Sequence, residues 1–208
     1  MAILVFEGLT ALDAVGPYEV LNRLPEAHVR LVGTDRGAKR AHGGALALVA
    51  DHTLAEVPRP DIVVVPGGPG EQAARADPEV LAWLRAAHRT SRWTTSVCTG
   101  ALILAAAGLL DGVEATTHWA SMDDLAALGA KPVEERVVVR GRVITAAGVS
   151  AGIDMALCLA QLVAGDDVAM AIQLILEYDP RPPFDAGSPA KAPAHVLETV
   201  RSSRRRHS

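Results

Sequence analysis

Between residues 93 and 105 the chain runs Trp-Thr-Thr-Ser-Val-Cys-Thr-Gly-Ala-Leu-Ile-Leu-Ala: a β-branched stretch reaches Cys98 and passes through two small residues into an apolar helical run. That order asks for a strand, a sharp turn and a helix in one register, the geometry of a nucleophile elbow with sulfur in place of oxygen. Ser96, Thr99 and Gly100 are small enough for such a turn to close without clashes. A helix opening at Thr99 would aim its unpaired N–H groups and positive dipole end at the sulfur of an exposed, strained Cys98, which favours thiolate over thiol. The competing reading is a cysteine used as a small core hydrophobe. Packing alone, however, does not call for a strand, a turn and a small-residue helix start in register.

The rest of the chain bounds where such an elbow can sit. With 208 residues, 50% of them hydrophobic, there is material for one sizeable core, expected as one α/β domain over 1–193. Residues 194–208, ending in an Arg-rich run, are expected as a C-terminal extension, a partly helical or disordered basic tail. The two cysteines, Cys98 and Cys158, form no spaced disulfide framework, so a reducing cytoplasm is expected. The opening apolar run is too short for a signal peptide and lacks a basic leader, and no apolar run approaches the roughly 20 residues of a membrane span. A formal net charge of −4 argues against a nucleic-acid footprint across the body of the protein. The seven histidines show no ligand spacing with a carboxylate partner, so neither a metal nor another cofactor is expected.

Strand and helix patterns alternate. Strands are expected at 3–6, 29–33, 61–65, 93–97 and 115–117, with a hairpin at 136–139 and 143–146 around Gly141. Helices are expected at 16–24 with Pro17 in the first turn, 78–88, 99–107 ended by Gly108, 150–164 and 167–178. The Pro-, Ala- and Gly-rich stretch 180–193 reads as an ordered loop or extended arm. Strands such as Ile62-Val63-Val64-Val65 are continuously apolar rather than alternating, which implies burial on both faces. The predicted fold is therefore α/β: a doubly wound, mostly parallel, flavodoxin-like sheet with helices on both faces and its active site at the carboxyl ends of the strands.

Two further segments are expected at that edge. In Gly67-Gly68-Pro69-Gly70 a buried strand ends in a turn whose backbone N–H groups can face developing negative charge. The turn lacks the Lys-Ser/Thr pair of a P-loop and the spacing of a dinucleotide fingerprint. A tight turn needing positive φ fits equally well and is compatible with an oxyanion role. The other segment carries Asp13, which either caps a helix opening at Gly16-Pro17 or, partly desolvated by Leu12, Ala14 and Val15, holds a proton beside the sulfur. Cys158, in the pattern of Ile153, Leu157 and Ala160, reads as core, and Asp154 as a helix-start acid.

Leu12-Asp13 with Gly16-Pro17, the Val63–Gly68 stretch, Ser96-Val97-Cys98-Thr99-Gly100, Ala115-Thr116-Thr117-His118-Trp119 and the 145–154 segment together resemble the ThiJ/PfpI superfamily over nearly the whole chain. Within it, Asp13, the Cys98-Thr99 pair, Glu177-Tyr178-Asp179-Pro180 and Pro182-Pro183-Phe184 are most similar to isonitrile hydratases, which add water to an isocyanide carbon and release an N-substituted formamide. The resemblance implies a cofactor-independent homodimer acting on a small molecule. Cys98 would attack the carbon and Asp13 would protonate the nitrogen to give a thioimidate, then activate water. Thr99 and the Gly68 N–H would steady charge, and His118 is a candidate substrate contact. Thr99 replaces the histidine that follows the nucleophile in peptidase-like relatives, and no histidine occurs between 172 and 179 to serve a glutamine amidotransferase. His118 could approach the sulfur as in glyoxalase- or deglycase-like relatives, or simply bond to backbone beside Trp119. A stand-alone ligand or redox sensor, related to the sensor half of AraC-type regulators, is the non-enzymatic alternative. The few residues after Pro193 are too short for the helix-turn-helix of such regulators.

Overall fold

In the computed structural model, which describes residues 1–205, continuous apolarity becomes burial on two faces. Strand β1 (Ala2–Leu4) leads through a loop to helix α1 (Ala11–Leu21), followed by β2 (Arg30–Gly33), β3 (Gly37–Arg40), β4 (Ala47–Ala50) and β5 (His52–Thr53). The chain then crosses to β6 (Ile62–Val65), α2 (Glu71–Ala76), α3 (Pro78–Thr90), β7 (Trp93–Val97) and α4 (Gly100–Ala106). Next come β8 (Glu114–Ala115), α5 (Met122–Ala127), β9 (Lys131–Pro132), β10 (Val137–Arg140), β11 (Val143–Ala146), α6 (Ala151–Ala164) and α7 (Asp166–Ile175). Contacts divide the chain into two units, Met1–Leu176 and a second from Glu177 onward, which carries α8 (Ala194–Arg205). Arg206, His207 and Ser208, the end of the expected basic tail, lie outside the described residues.

The first unit is built on a seven-stranded sheet in the order β10-β11-β7-β6-β1-β2-β5, parallel throughout except for the β10–β11 hairpin. Alternate residues of each strand enter different cores. Ala2, Leu4, Val63 and Val65 pack under α2 to α5. Ile3, Ile62 and Val64 pack under α1, α6 and α7. The doubly wound α/β expectation therefore holds, and for the stated reason: both faces of each central strand are covered. Because the chain goes from β1 to β2 in one direction and later to β6 on β1's other side, the crevice between β1 and β6 is the switch point where such sheets place their sites.

Helix α1 corrects the expected 16–24 span. Thr10 is its N-cap, so the helix begins before Gly16, and Pro17 lies inside it. Pro17 therefore forgoes one intrahelical bond. Gly16 serves packing rather than a helix start: a Cβ there would lie 3.1 Å from the Ile153 side chain of α6. The short β3–β4 pair, α2 and α5 were not anticipated; each is too brief or too polar for periodicity to reveal. The buried face of α6 is Ala151, Gly152, Met155, Ala156, Leu159 and Ala160, which leaves Cys158 half-buried rather than in the core. The rotation of that face depends on where α1 and β7 press on the helix, and residue spacing does not encode it.

Candidate active site

The elbow forms as its residue sizes require. Cys98 sits at φ +57 between β7 and α4, a left-handed conformation that strains any residue with a Cβ. The turn closes only because position 100 is glycine: a Cβ there would lie 2.1 Å from the Val65 carbonyl oxygen. The Cys98 N–H donates to the Ala146 and Ala147 carbonyls at 3.1 and 2.9 Å. Thr117 Oγ1 donates to the Cys98 carbonyl at 2.8 Å.

Asp13 reaches the same place from β1. It is fully buried in the first turn of α1, and its Oδ2 accepts a hydrogen bond from Gly67 N–H at 2.9 Å. The capping alternative is thereby removed, since the carboxylate bonds not to the start of its own helix but to the turn after β6. That turn is also stitched to the loop after β1, with Thr10 N–H donating to Gly67 O at 2.8 Å and Gly70 N–H to Gly8 O at 3.1 Å. The fit is tight enough that a Cβ on Gly70 would lie 1.8 Å from Glu7 O. Three neighbouring strand ends thus deliver Asp13, Gly67-Gly68 and Cys98 to one spot.

Burial sets the electrostatics. Loss of water raises the Asp13 carboxyl from its ordinary 3.8 to about 6, against smaller lowering effects of the Gly67 N–H and the Cys98 thiol. Burial, and after it the charge of Asp13, pushes the Cys98 thiol up to about 12. Hydrogen bonds from Val149 N–H, Thr99 N–H and the Thr99 hydroxyl pull the other way but are weaker. The expectation of an exposed, low-pKa thiolate is therefore corrected: Cys98 is only 5% exposed. A helix terminus offers about 0.3–2 kcal/mol, whereas full desolvation can move a pKa by several units. The resting pair is a thiol beside a carboxylate.

The remaining predicted residues fall as follows. The Thr99 side-chain oxygen accepts from Gly68 N–H at 3.0 Å and also faces the sulfur, so Gly68 reaches developing charge through the Thr99 hydroxyl. Gly68 has φ +128, as its turn requires. His118 Nδ1 accepts from Ala120 N–H at 3.3 Å, and its ring lies 5.5 Å from that of Trp119. Asp154 pairs with Arg136 at 2.7 Å. Val149, whose backbone N–H reaches the sulfur, was missed, because a backbone donor leaves no mark on side-chain identity.

With this geometry in hand, the chain can be set beside known proteins. Residues 1–162 match the DJ-1/PfpI family. The chain is 46% identical over 201 residues to an isonitrile hydratase of Pseudomonas putida, covering 97% of this chain and 88% of that one. A crystal structure of a ThiJ/PfpI family protein from Pseudomonas syringae superposes with a TM-score of 0.93 at 42% identity, covering 96% of this chain and 83% of that one. The HTH-type transcriptional regulator CdhR of Pseudomonas aeruginosa is 31% identical over 173 residues, which are 80% of this chain and 50% of the regulator.

Proposed function

Starting from the premise that this chain belongs to the DJ-1/PfpI family, we propose that it is a cysteine-dependent hydratase that converts small isonitriles into N-substituted formamides. The observation that carries the proposal is the buried Asp13–Cys98 pair: a soft nucleophile that keeps its proton, beside a carboxylate raised to about 6. An isonitrile carbon must gain a nucleophile and a proton, and a thiol with an adjacent proton shuttle supplies both.

In the first step the Cys98 sulfur bonds to the terminal carbon of R–N≡C while its S–H bond breaks. Asp13 takes that proton and returns it to the substrate. Atom balance puts it on the former isonitrile carbon rather than on nitrogen, giving the thioimidate Cys98–S–CH=N–R. In the second step Asp13 accepts a proton from water as the oxygen attacks the same carbon. The tetrahedral adduct then collapses to R–NH–CHO, nitrogen gains its proton, and the Cys98 thiol is restored. The N–H groups of Val149 and Thr99 and the Thr99 hydroxyl stabilise sulfur as it sheds its proton, and Gly68 orients that hydroxyl. A carboxyl near pH 6 is suited to giving and taking a proton in alternate steps.

The direct test is incubation of purified protein with several alkyl and aryl isonitriles and detection of the formamide by mass spectrometry. Turnover with at least one is expected. No formamide from any of them, with binding retained, favours the second reading, a ligand sensor, which rests on the similarity to the CdhR regulator.

The chain is also proposed to act as a homodimer whose interface borders the site. Leu12 and Tyr18 of α1 are 42% and 37% exposed, and Met170 and Leu174 of α7 are 58% and 80% exposed. Exposed large apolar side chains are the kind that association covers, and Leu12 adjoins Asp13. Light scattering at micromolar concentration should give twice the chain mass; a monomer mass would contradict the dimer.

A further inference from the structure

The strained backbone of Cys98 is held at both of its polar groups, and one of the two holds is a side chain. Its N–H is fixed by the carbonyls of Ala146 and Ala147, at the end of β11 and just beyond. Its carbonyl accepts the Thr117 hydroxyl at 2.8 Å, with the Ala101 N–H farther off at 3.5 Å. Thr117 is 1% exposed, so neither partner has ready recourse to water. The segment bearing Thr117 is itself anchored: the Thr116 N–H donates at 2.9 Å to Oγ1 of Thr145 in β11. Thr145 is paired in register with Ser96 of the elbow strand. A closed circuit therefore runs from β7 through β11 and Thr116-Thr117 back to the Cys98 carbonyl.

We propose that Thr117 is a positioning residue for the nucleophile: its hydroxyl holds the Cys98 peptide in the left-handed conformation that keeps the sulfur beside Asp13 and the Val149 N–H. The proposal rests on Cys98 being the reacting group. Threonine suits the task, because its β-branch restricts χ1 and its hydroxyl needs one acceptor at a fixed place. Without the hydroxyl, the strain at Cys98 has less to oppose it, and the sulfur drifts from the carboxylate and towards solvent. Small displacements of a reacting group are costly to rate, by up to about 10² for an ångström.

The test uses the full chain carrying Cys158→Ala, so that Cys98 is the one thiol present, with Thr117→Val, Thr117→Ala and Thr117→Ser added singly. In the Val and Ala variants kcat on a small isonitrile is expected to fall roughly tenfold with KM within about twofold. The pH midpoint for Cys98 alkylation by iodoacetamide is expected to move down by about one unit as the thiol leaves its buried place. Thr117→Ser, which keeps the hydroxyl, should return both readings to the parent values. The alkylation reading does not depend on the isonitrile reaction, so a wrong substrate class and a wrong role for Thr117 give different results. Folded Val or Ala variants with parental kcat and an unmoved alkylation midpoint overturn the proposal. So does failure of both to fold while the Ser variant folds, because the bond then serves the fold as a whole.

Discussion

Cys98→Ala is expected to lose at least about 10³ in turnover of any isonitrile accepted by the wild type, while remaining folded. The size follows from the proposed role: without sulfur no thioimidate forms, and water would have to attack the isonitrile unaided. The fold should survive because the change removes one atom from a buried position and keeps the Cβ that the turn already tolerates. Cys98→Ser should be nearly as inactive. A hydroxyl holds its proton more tightly than a thiol already pushed up to about 12, and a carboxylate near 6 is a poor match for removing it. The measurement is formamide production per enzyme, with circular dichroism to confirm folding. Even a tenth of wild-type turnover in Cys98→Ala would sink the covalent mechanism. An accumulating Cys98 adduct, seen by mass spectrometry of wild type quenched during turnover, would support it.

Asp13→Asn is expected to separate activity from stability in opposite directions. The amide keeps an oxygen for the Gly67 N–H but cannot shuttle a proton, so turnover should fall by about 10² or more. Stability should rise at neutral pH. The folded carboxyl titrates at about 6 and the unfolded one near its ordinary 3.8. Between those values the native state binds more protons than the unfolded state, so wild-type stability falls as pH rises through the window and stays low above it. The difference in pKa corresponds to ~3 kcal/mol at most, and the Asn variant does not pay it. Its melting temperature should therefore exceed the wild type's by several degrees at about pH 7.5, with the gap closing near pH 4. A wild type as stable as the variant at both pH values would mean that the carboxylate is better solvated than its burial implies. Near-normal turnover in Asp13→Asn would remove Asp13 from the mechanism and leave His118 as the next candidate for proton transfer.

Some of this could be read without a structure because it depends on neighbours in the chain. A β-branched run such as Ile62–Val65 dictates a strand buried on both faces. A cysteine followed by Thr-Gly and an apolar run dictates a turn into a helix, with residues small enough to let it close, although the carbonyl that a Cβ at Gly100 would strike, Val65 O, is set by the fold. The resemblance carried by Cys98, Asp13 and the Gly67-Gly68 turn pointed to the family for the same reason.

What stayed hidden depends on which distant groups meet. Asp13 looked equally like a cap and an acid until its carboxylate was found on Gly67 N–H, 54 residues away. Cys158 looked like core until the face that α6 turns inward was known. The thiol at Cys98 was expected to ionise readily, because a helix start is visible in sequence and desolvation is not. Residues from β1, β6, β7, β11 and their loops jointly exclude water around it, and that exclusion outweighs the dipole. The sequence by itself thus determined the elbow and the central strands, through local sterics and periodicity, and singled out Cys98 and Asp13 as candidates for the reacting pair. Only the tertiary structure decided their protonation, the backbone donor at Val149 and the bracing by Thr117, because those arise from solvent exclusion and contacts between segments far apart in the chain.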